Sequence, residues 1–580
     1  MSLASVLALG SCADNTPAPA QGGLTLKFAA LSAGGCNAHP NGTGQLPDGI
    51  VRLAARVKIG TATSERLTLD ATKLDAGKWE IGPLPSNQTA DVYVYGCDAA
   101  GKIVYQGRSN GIAIPDQAAA PVSMFMIPVG KLACTGNNAV NTGADESHHL
   151  SAPRSFSAAA SVANGDVVVA GGVGDWNGES LTGLASLDTD VYDHEAGHFR
   201  KGPTLLKRRV WLHAHRLTDH HVLIAGGVGK IVGQSSALVP KLMAPTSATA
   251  DRPDIAAEIL DLRRGAGGKY PASVAGKVDI GVGKTFLSSS IATGDTITFV
   301  GGMADGGSAL DQATRIGGLA DIAAGSAGTT TAIALKQKRY KPALVAFGDG
   351  TIVVWGGIGK DVDAAKSIGE TIAQGAKDTT AIVVSGPKEI LESDKLATFG
   401  PAAAPIGESG GKLSFIVSGG MPAKTPTFGA GTSSYIVEVG SDGKAAIKTL
   451  DLGKNALFAG FGATALQLTT GEALFAGGII ALQKTAPCTG DSECLLDKAW
   501  LISPPASLSG DTVKTTAKIL QLGGPRAGIS AANLPSGVLL AGGQAKVFDA
   551  ASKGQAALDP TGRVVSGAPK AELEAAMCGK

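Results

Sequence analysis

The chain has 580 residues, 44% of them hydrophobic, 17% charged and 4% aromatic, with 81 glycines. That is enough apolar content for a folded core, and the glycine excess is what turns and close backbone corners use. Fifty Lys and Arg stand against 49 Asp and Glu, a net charge of +1 with no long run of one sign, which argues against a nucleic-acid partner because phosphate binding needs a concentrated basic surface. The length predicts two or more domains.

In chain order the first element is a short apolar stretch, Leu3 to Leu9, followed by Leu9-Gly10-Ser11-Cys12. This resembles a bacterial lipobox, which implies a signal over residues 1–12, lipidation of Cys12, and a tether over 13–23 that is rich in small polar residues and proline. Ala13 after Cys12 implies, by the same resemblance, an outer-membrane lipoprotein facing the periplasm or the cell surface. The alternative is an ordinary tail with a stray cysteine. No other segment approaches eighteen uninterrupted apolar residues.

Residues 24–130 carry short alternating or apolar runs, Leu24–Phe28, Val51–Ala54, Leu67–Leu69, Val92–Tyr95 and Val122–Met126, with Pro83, Pro85, Asn87 and Gly101 at turns. Such spacing predicts a small antiparallel β-sandwich, similar to the immunoglobulin-like or transthyretin-like modules of bacterial surface proteins.

From residue 134 to 580 a different pattern repeats. Seven apolar runs each stop at a glycine pair: Gly171-Gly172, Gly226-Gly227, Gly301-Gly302, Gly356-Gly357, Gly419-Gly420, Gly477-Gly478 and Gly542-Gly543. Arg154, Arg209 and Arg339 stand seventeen positions before their pair, and Arg526 sixteen. Turn signals such as Asn164-Gly165-Asp166 and Ser536-Gly537 lie between, so each unit reads strand, tight turn, strand, glycine pair. Three units add a later strand ending in Asp193, Asp261 or Asp549. Spacings of 55 to 75 residues place the surplus in loops, chiefly 230–252 and 303–338, expected on one face of a disc.

Together these motifs resemble the kelch repeat. The resemblance implies an all-β chain with a kelch-like propeller after the sandwich, of seven blades, or six if one pair belongs to an insertion. Phe199 and Phe399 occupy places where the family has tryptophan, and the fifth and sixth units lack the arginine.

Seven cysteines less a lipidated Cys12 leave six, as an exported protein with disulfides would have. Position suggests Cys488 with Cys494 as a local loop, Cys36 and Cys97 within the first domain, and Cys134 with Cys578 closing the ring; six cysteines allow fifteen pairings. No C-x2-C pair points to zinc. Eight of nine histidines lie between 148 and 221, and His213 and His215, two apart on a strand, are the candidate metal ligands. Asp361 and Asp363, and Asp491 and Glu493, lack the glycine-spaced loop of a calcium site.

Galactose oxidase, which carries copper on a kelch propeller, uses tyrosine and histidine ligands that this chain does not place, and no sialidase Asp-box occurs. The expectation is a non-catalytic envelope protein, without a cofactor, that presents the propeller's loop face to a protein or glycan partner in adhesion or assembly. A carbohydrate-active or metal-dependent enzyme on the same scaffold is the alternative.

Overall fold

The architecture comes from a computed structural model. It describes, with short interruptions, residues 21–30, 46–135, 146–177, 182–232, 257–279, 288–302, 310–357, 369–372, 381–384, 398–422, 434–479, 495–543 and 562–579. The chain is all-β, with a curled N-terminal sheet followed by a propeller-like ring of sheets. Two α-helices, Leu319–Ala323 and Ala571–Cys578, accompany them among the described residues.

The antiparallel sandwich expected over residues 24–130 is instead one curled sheet of eight strands, and it is mixed. Its first long strand, Gln21–Ala30, runs parallel to Ala119–Pro128 and antiparallel to Lys78–Pro85. Alternation puts Leu24, Leu26 and Phe28 on the concave side with Val92, Val94, Met124 and Met126, so the sheet closes over its own core without a second layer. Lys78–Pro85 escapes a sequence reading because Pro83 and Pro85 punctuate it; it lies at the sheet's edge, where the missing amide hydrogens interrupt no ladder.

In the ring, every glycine pair follows the second strand of a sheet. Among the described residues five sheets have four strands, such as His213–Arg216, His221–Ala225, Ala257–Asp261 and Gly276–Val278 in inner-to-outer order. Two have five strands and contain the same order, one starting at Ala158–Ser161 and the other at Ala402–Ser409. The innermost strands form a closed circuit: Ala158–Ser161 packs beside His213–Arg216, then Ser289–Thr293, Ala343–Ala346, Ala402–Ser409, Thr464–Gln467 and Ser530–Leu534, which returns to Ala158–Ser161. A separate apolar cluster fills each junction; Ala160, Val168, Val222 and Ile224 make one, and Leu474, Leu501, Val538 and Leu540 another. The stretch 303–338, expected as loop, supplies the outer strands Leu310–Gly317 and Thr329–Arg339 around the helix Leu319–Ala323. Its strands pair through Ile316 with Thr330 and Ala313 with Ile333, apolar residues spaced too sparsely among Thr, Ala and Gly to mark a strand in the sequence.

The ring is closed by a strand that comes early in the chain, directly after the N-terminal sheet. The last sheet, Ser530–Leu534, Gly537–Ala541 and Gly562–Val565, takes Leu132–Cys134 as its outer strand. The C-terminal helix reaches back, and Cys578 bonds Cys97 rather than Cys134. Cys97 ends its strand within a cluster formed by Tyr95, Ile103, Met577 and Cys578, so burial brings the two sulfurs together. Cys134 is itself disulfide-bonded, while Cys12, Cys36, Cys488 and Cys494 lie outside the described residues. Glu574 accepts from the Ile103 amide at 3.0 Å, and Arg66 donates to the Gly579 carbonyl at 3.1 Å. Because the Cys97–Cys578 bond spans 481 residues, its loss in C97A/C578A should lower stability by about 2–4 kcal/mol. Equilibrium urea unfolding of the two proteins measures this, and an unchanged midpoint would show that packing alone holds the helix.

Candidate functional site

The repeat arginines and glycines are joints between sheets. Arg154, Arg209, Arg339 and Arg526 are at most 1% exposed. Arg209 donates to the Gly226 carbonyl at 2.8 Å, Arg526 to that of Gly542 at 3.3 Å, and Arg339 to that of Gly356, each within its own sheet. Their backbone carbonyls serve the neighbouring sheet, accepting from Gly172 onto Arg209 at 2.8 Å, Gly302 onto Arg339 at 2.8 Å, Gly478 onto Arg526 at 2.7 Å and Gly543 onto Arg154 at 2.9 Å. Buried carboxylates neutralise two of the cations, Asp190 beside Arg154 and Glu258 beside Arg209. These residues hold the ring together, which leaves the ligand site to be sought elsewhere.

His213 and His215 belong to an inner strand and face the next sheet. His213 Nε2 meets Ser288 Oγ at 2.9 Å, His215 Nε2 meets Ser290 Oγ at 2.7 Å, and both imidazoles present edges to the Phe299 ring. Burial pushes His215 down to about 4 and, with help from Lys341 and His215, takes His213 well below the ordinary range. Both are neutral at pH 7. Among the described residues the metal-compatible group is His220, His221 and Asp261, whose ligand atoms lie within 4.8 Å. There the Arg263 guanidinium already grips Asp261, with Nε 2.9 Å from Oδ2, placing a positive charge where a cation would sit. The acidic pairs Asp361 and Asp363, and Asp491 and Glu493, lie outside the described residues.

The second buried network centres on Asp166, fully buried in the turn between two strands. Its oxygens accept from Arg264 Nη2 and Tyr270 Oη, each at 2.7 Å, and pair with His194 Nδ1 at 3.2 Å. Burial raises this carboxyl, but the His194 hydrogen bond and the Arg264 charge outweigh it and hold it well below the usual range. Its lone pairs are committed to tying two sheets together.

A different feature appears where the inner strands begin. Two residues before the start of six of them, among the described residues, the backbone is left-handed: Phe156 at φ 55°, Trp211 at 56°, Lys341 at 51°, Gly400 at 63°, Gly462 at 72° and Gly528 at 66°. The reason is a girdle of hydrogen bonds around the axis. Trp211 N–H donates to the Phe156 carbonyl at 3.1 Å, Phe156 to Gly528 at 2.8 Å, Gly528 to Gly462 at 2.8 Å, and Gly400 to Lys341 at 3.1 Å. Glycine takes this conformation freely, whereas an L-residue there is strained by about 1–2 kcal/mol. Three glycines and three bulky residues thus share one geometric role.

Those side chains line a cavity of about 250 Å³ at the mouth of the axial channel, with Ser157, Ser289 and Pro342 among its walls. Phe156 and Trp211 meet edge to face, centroids 5.5 Å apart. The Phe156 ring lies over Gly462 and Gly528, where a β-carbon would come within 3.2 and 2.9 Å of it. Lys341, half-buried in residue terms and enclosed by protein, is pushed down to about 8 by burial. The small sheet of Val173–Asn177, Thr182–Ala185 and Lys230–Val232 leaves the ring directly after two glycine pairs, on this same face. The N-terminal sheet contacts the other end of the last inner strand, through Gln106 Nε2 donating to the Ser536 carbonyl at 3.1 Å.

The sequence pattern pointed to the loops and not to this mouth. Its signal was present as an aromatic or lysine standing where sister units have glycine, visible only once the inner strands are aligned. No known protein family matches the chain, and a search of curated proteins finds no match.

Proposed function

We propose that this chain is a seven-blade, kelch-like propeller of the cell envelope, lipid-anchored through Cys12, that binds a protein or glycan partner without catalysis at the mouth of its axial channel. The observation that carries the reading is the retention of Phe156, Trp211 and Lys341 at positive φ. Backbone outliers that stability alone would replace by glycine accumulate where function needs the side chain. The blade count is supported by the closed circuit of inner strands and the apolar cluster at each junction. The N-terminal sheet at the far end of the ring suits a support that turns the mouth outward from the anchor.

A glycan array probed with the soluble protein tests this, alongside F156G and K341G. Both variants copy what the sister units already carry; K341G is expected to gain about 1 kcal/mol as strain is released, while in F156G the same gain is offset by the ring's lost contacts with Trp211, Gly462 and Gly528. Both should lose array binding. Binding that survives both substitutions would place the site elsewhere on the disc.

A further inference from the structure

From the surroundings of Lys341 we infer the ligand class: the axial mouth takes a monosaccharide unit bearing a carboxylate, a hexuronate at the end of a glycan, with its acid group on the Lys341 ammonium and its ring against Phe156. This rests on the reading of the mouth as a binding site.

Lys341 is the one ionisable side chain among the cavity's described walls. Burial alone sets its shift, with no carboxylate among the described residues pulling it back. Among the described residues the titratable group coupled to its charge is His213, which is coupled in turn to His215; both are neutral and each is held by a serine. A cation enclosed by protein with no anionic partner among the described residues favours an anion supplied from outside. Size limits what that anion belongs to, because about 250 Å³ is below the roughly 300–1,000 Å³ of pockets for drug-sized ligands and suits one ring.

The hydroxyls favour a sugar over an acidic peptide. Ser289 Oγ donates to the Pro342 carbonyl at 2.6 Å, which leaves its lone pairs facing the cavity as acceptors. Ser157 Oγ and Ser530 Oγ share one hydrogen, leaving one hydroxyl hydrogen of the pair to donate. A sugar ring offers hydroxyls of both senses beside an apolar face that can lie on the half-buried Phe156.

The charge also gives a pH signature. With Lys341 near 8 when free and higher when an acid occupies the site, hexuronate affinity should be flat below pH 7 and fall about tenfold from pH 7 to 9. Stability should move the opposite way. The folded amine loses its proton more readily than the unfolded one, so this group's destabilising contribution fades as pH rises from 8 to 10.

Calorimetric titration of the full chain with glucuronate and galacturonate, their methyl esters, glucose, and a short glutamate-rich peptide tests the inference. The acids are expected to bind at least tenfold more tightly than the esters, and K341M, which keeps the stem but deletes the charge, should reduce them to the ester level. Equal binding of acid and ester, or acid binding unmoved by K341M and by pH, overturns the carboxylate assignment while leaving the mouth as a site. Binding of the peptide and of no sugar overturns the choice of ligand class. Array binding that F156G does not reduce removes the underlying reading itself.

Discussion

Replacing Gly419 by alanine is expected to destabilise the protein by about 4 kcal/mol, the combined scale of forced left-handed backbone and overpacking. Gly419 has φ 74°, and a β-carbon there would lie 1.4 Å from the Ala459 carbonyl oxygen of the following sheet. The obstacle is backbone, so no rotamer relieves it; the two sheets would have to part across the cluster of Ala404, Ile416, Phe475 and Trp500. The same encounter recurs at Gly301 with the Arg339 carbonyl at 2.1 Å and at Gly542 with that of Arg154 at 2.4 Å. Gly453 is the internal control, since it has φ 59° but nothing within 4 Å of a built β-carbon. G453A should therefore cost only the conformational part, about 1–2 kcal/mol. Urea unfolding of both variants separates the contributions, and a G419A no less stable than G453A would mean that the glycine pairs are not close joints between sheets.

That geometry explains why so much of the ring was legible in the sequence. A four-residue apolar run before two glycines is readable because both the burial of the run and the close approach of the glycines are local demands on residue type. The arginines were readable for a related reason, as the guanidinium of Arg209, Arg339 and Arg526 serves a glycine carbonyl sixteen or seventeen positions later, while that of Arg154 serves the Asp188 carbonyl. The unit without an arginine at the next joint keeps the contact by presenting the Ala459 carbonyl, which any residue has. Long-range facts were harder. Leu132–Cys134 completes a sheet whose other strands begin at Ser530, and Cys578 crosses to Cys97; neither partner is marked by spacing. The N-terminal sheet was misassigned because alternating strands specify one buried face and do not say whether a second sheet or the sheet's own curl covers it. The mouth was missed since Phe156, Trp211 and Lys341 are ordinary residues whose distinction is a dihedral angle.

The second large effect concerns Arg209. Its guanidinium and the Glu258 carboxylate are both fully buried, with Nε 2.8 Å from Oε1, and Glu258 also accepts from the Leu206 amide at 2.6 Å. Substitution by methionine fills much of the volume but leaves a carboxylate without its countercharge in the junction between two sheets. A buried pair broken from one side costs about 3–5 kcal/mol, more than the intact pair contributes, because the surviving ion bears its desolvation alone. R209M should lose that amount at pH 7. R209M/E258Q should recover part of it, since the amide oxygen still accepts from Leu206 while the Gly226 carbonyl remains without its donor. Urea unfolding of both variants at pH 7 measures this, and equal deficits for R209M and the double variant would show that Arg209 acts by packing, and that the recurring arginine is retained for its shape rather than its charge.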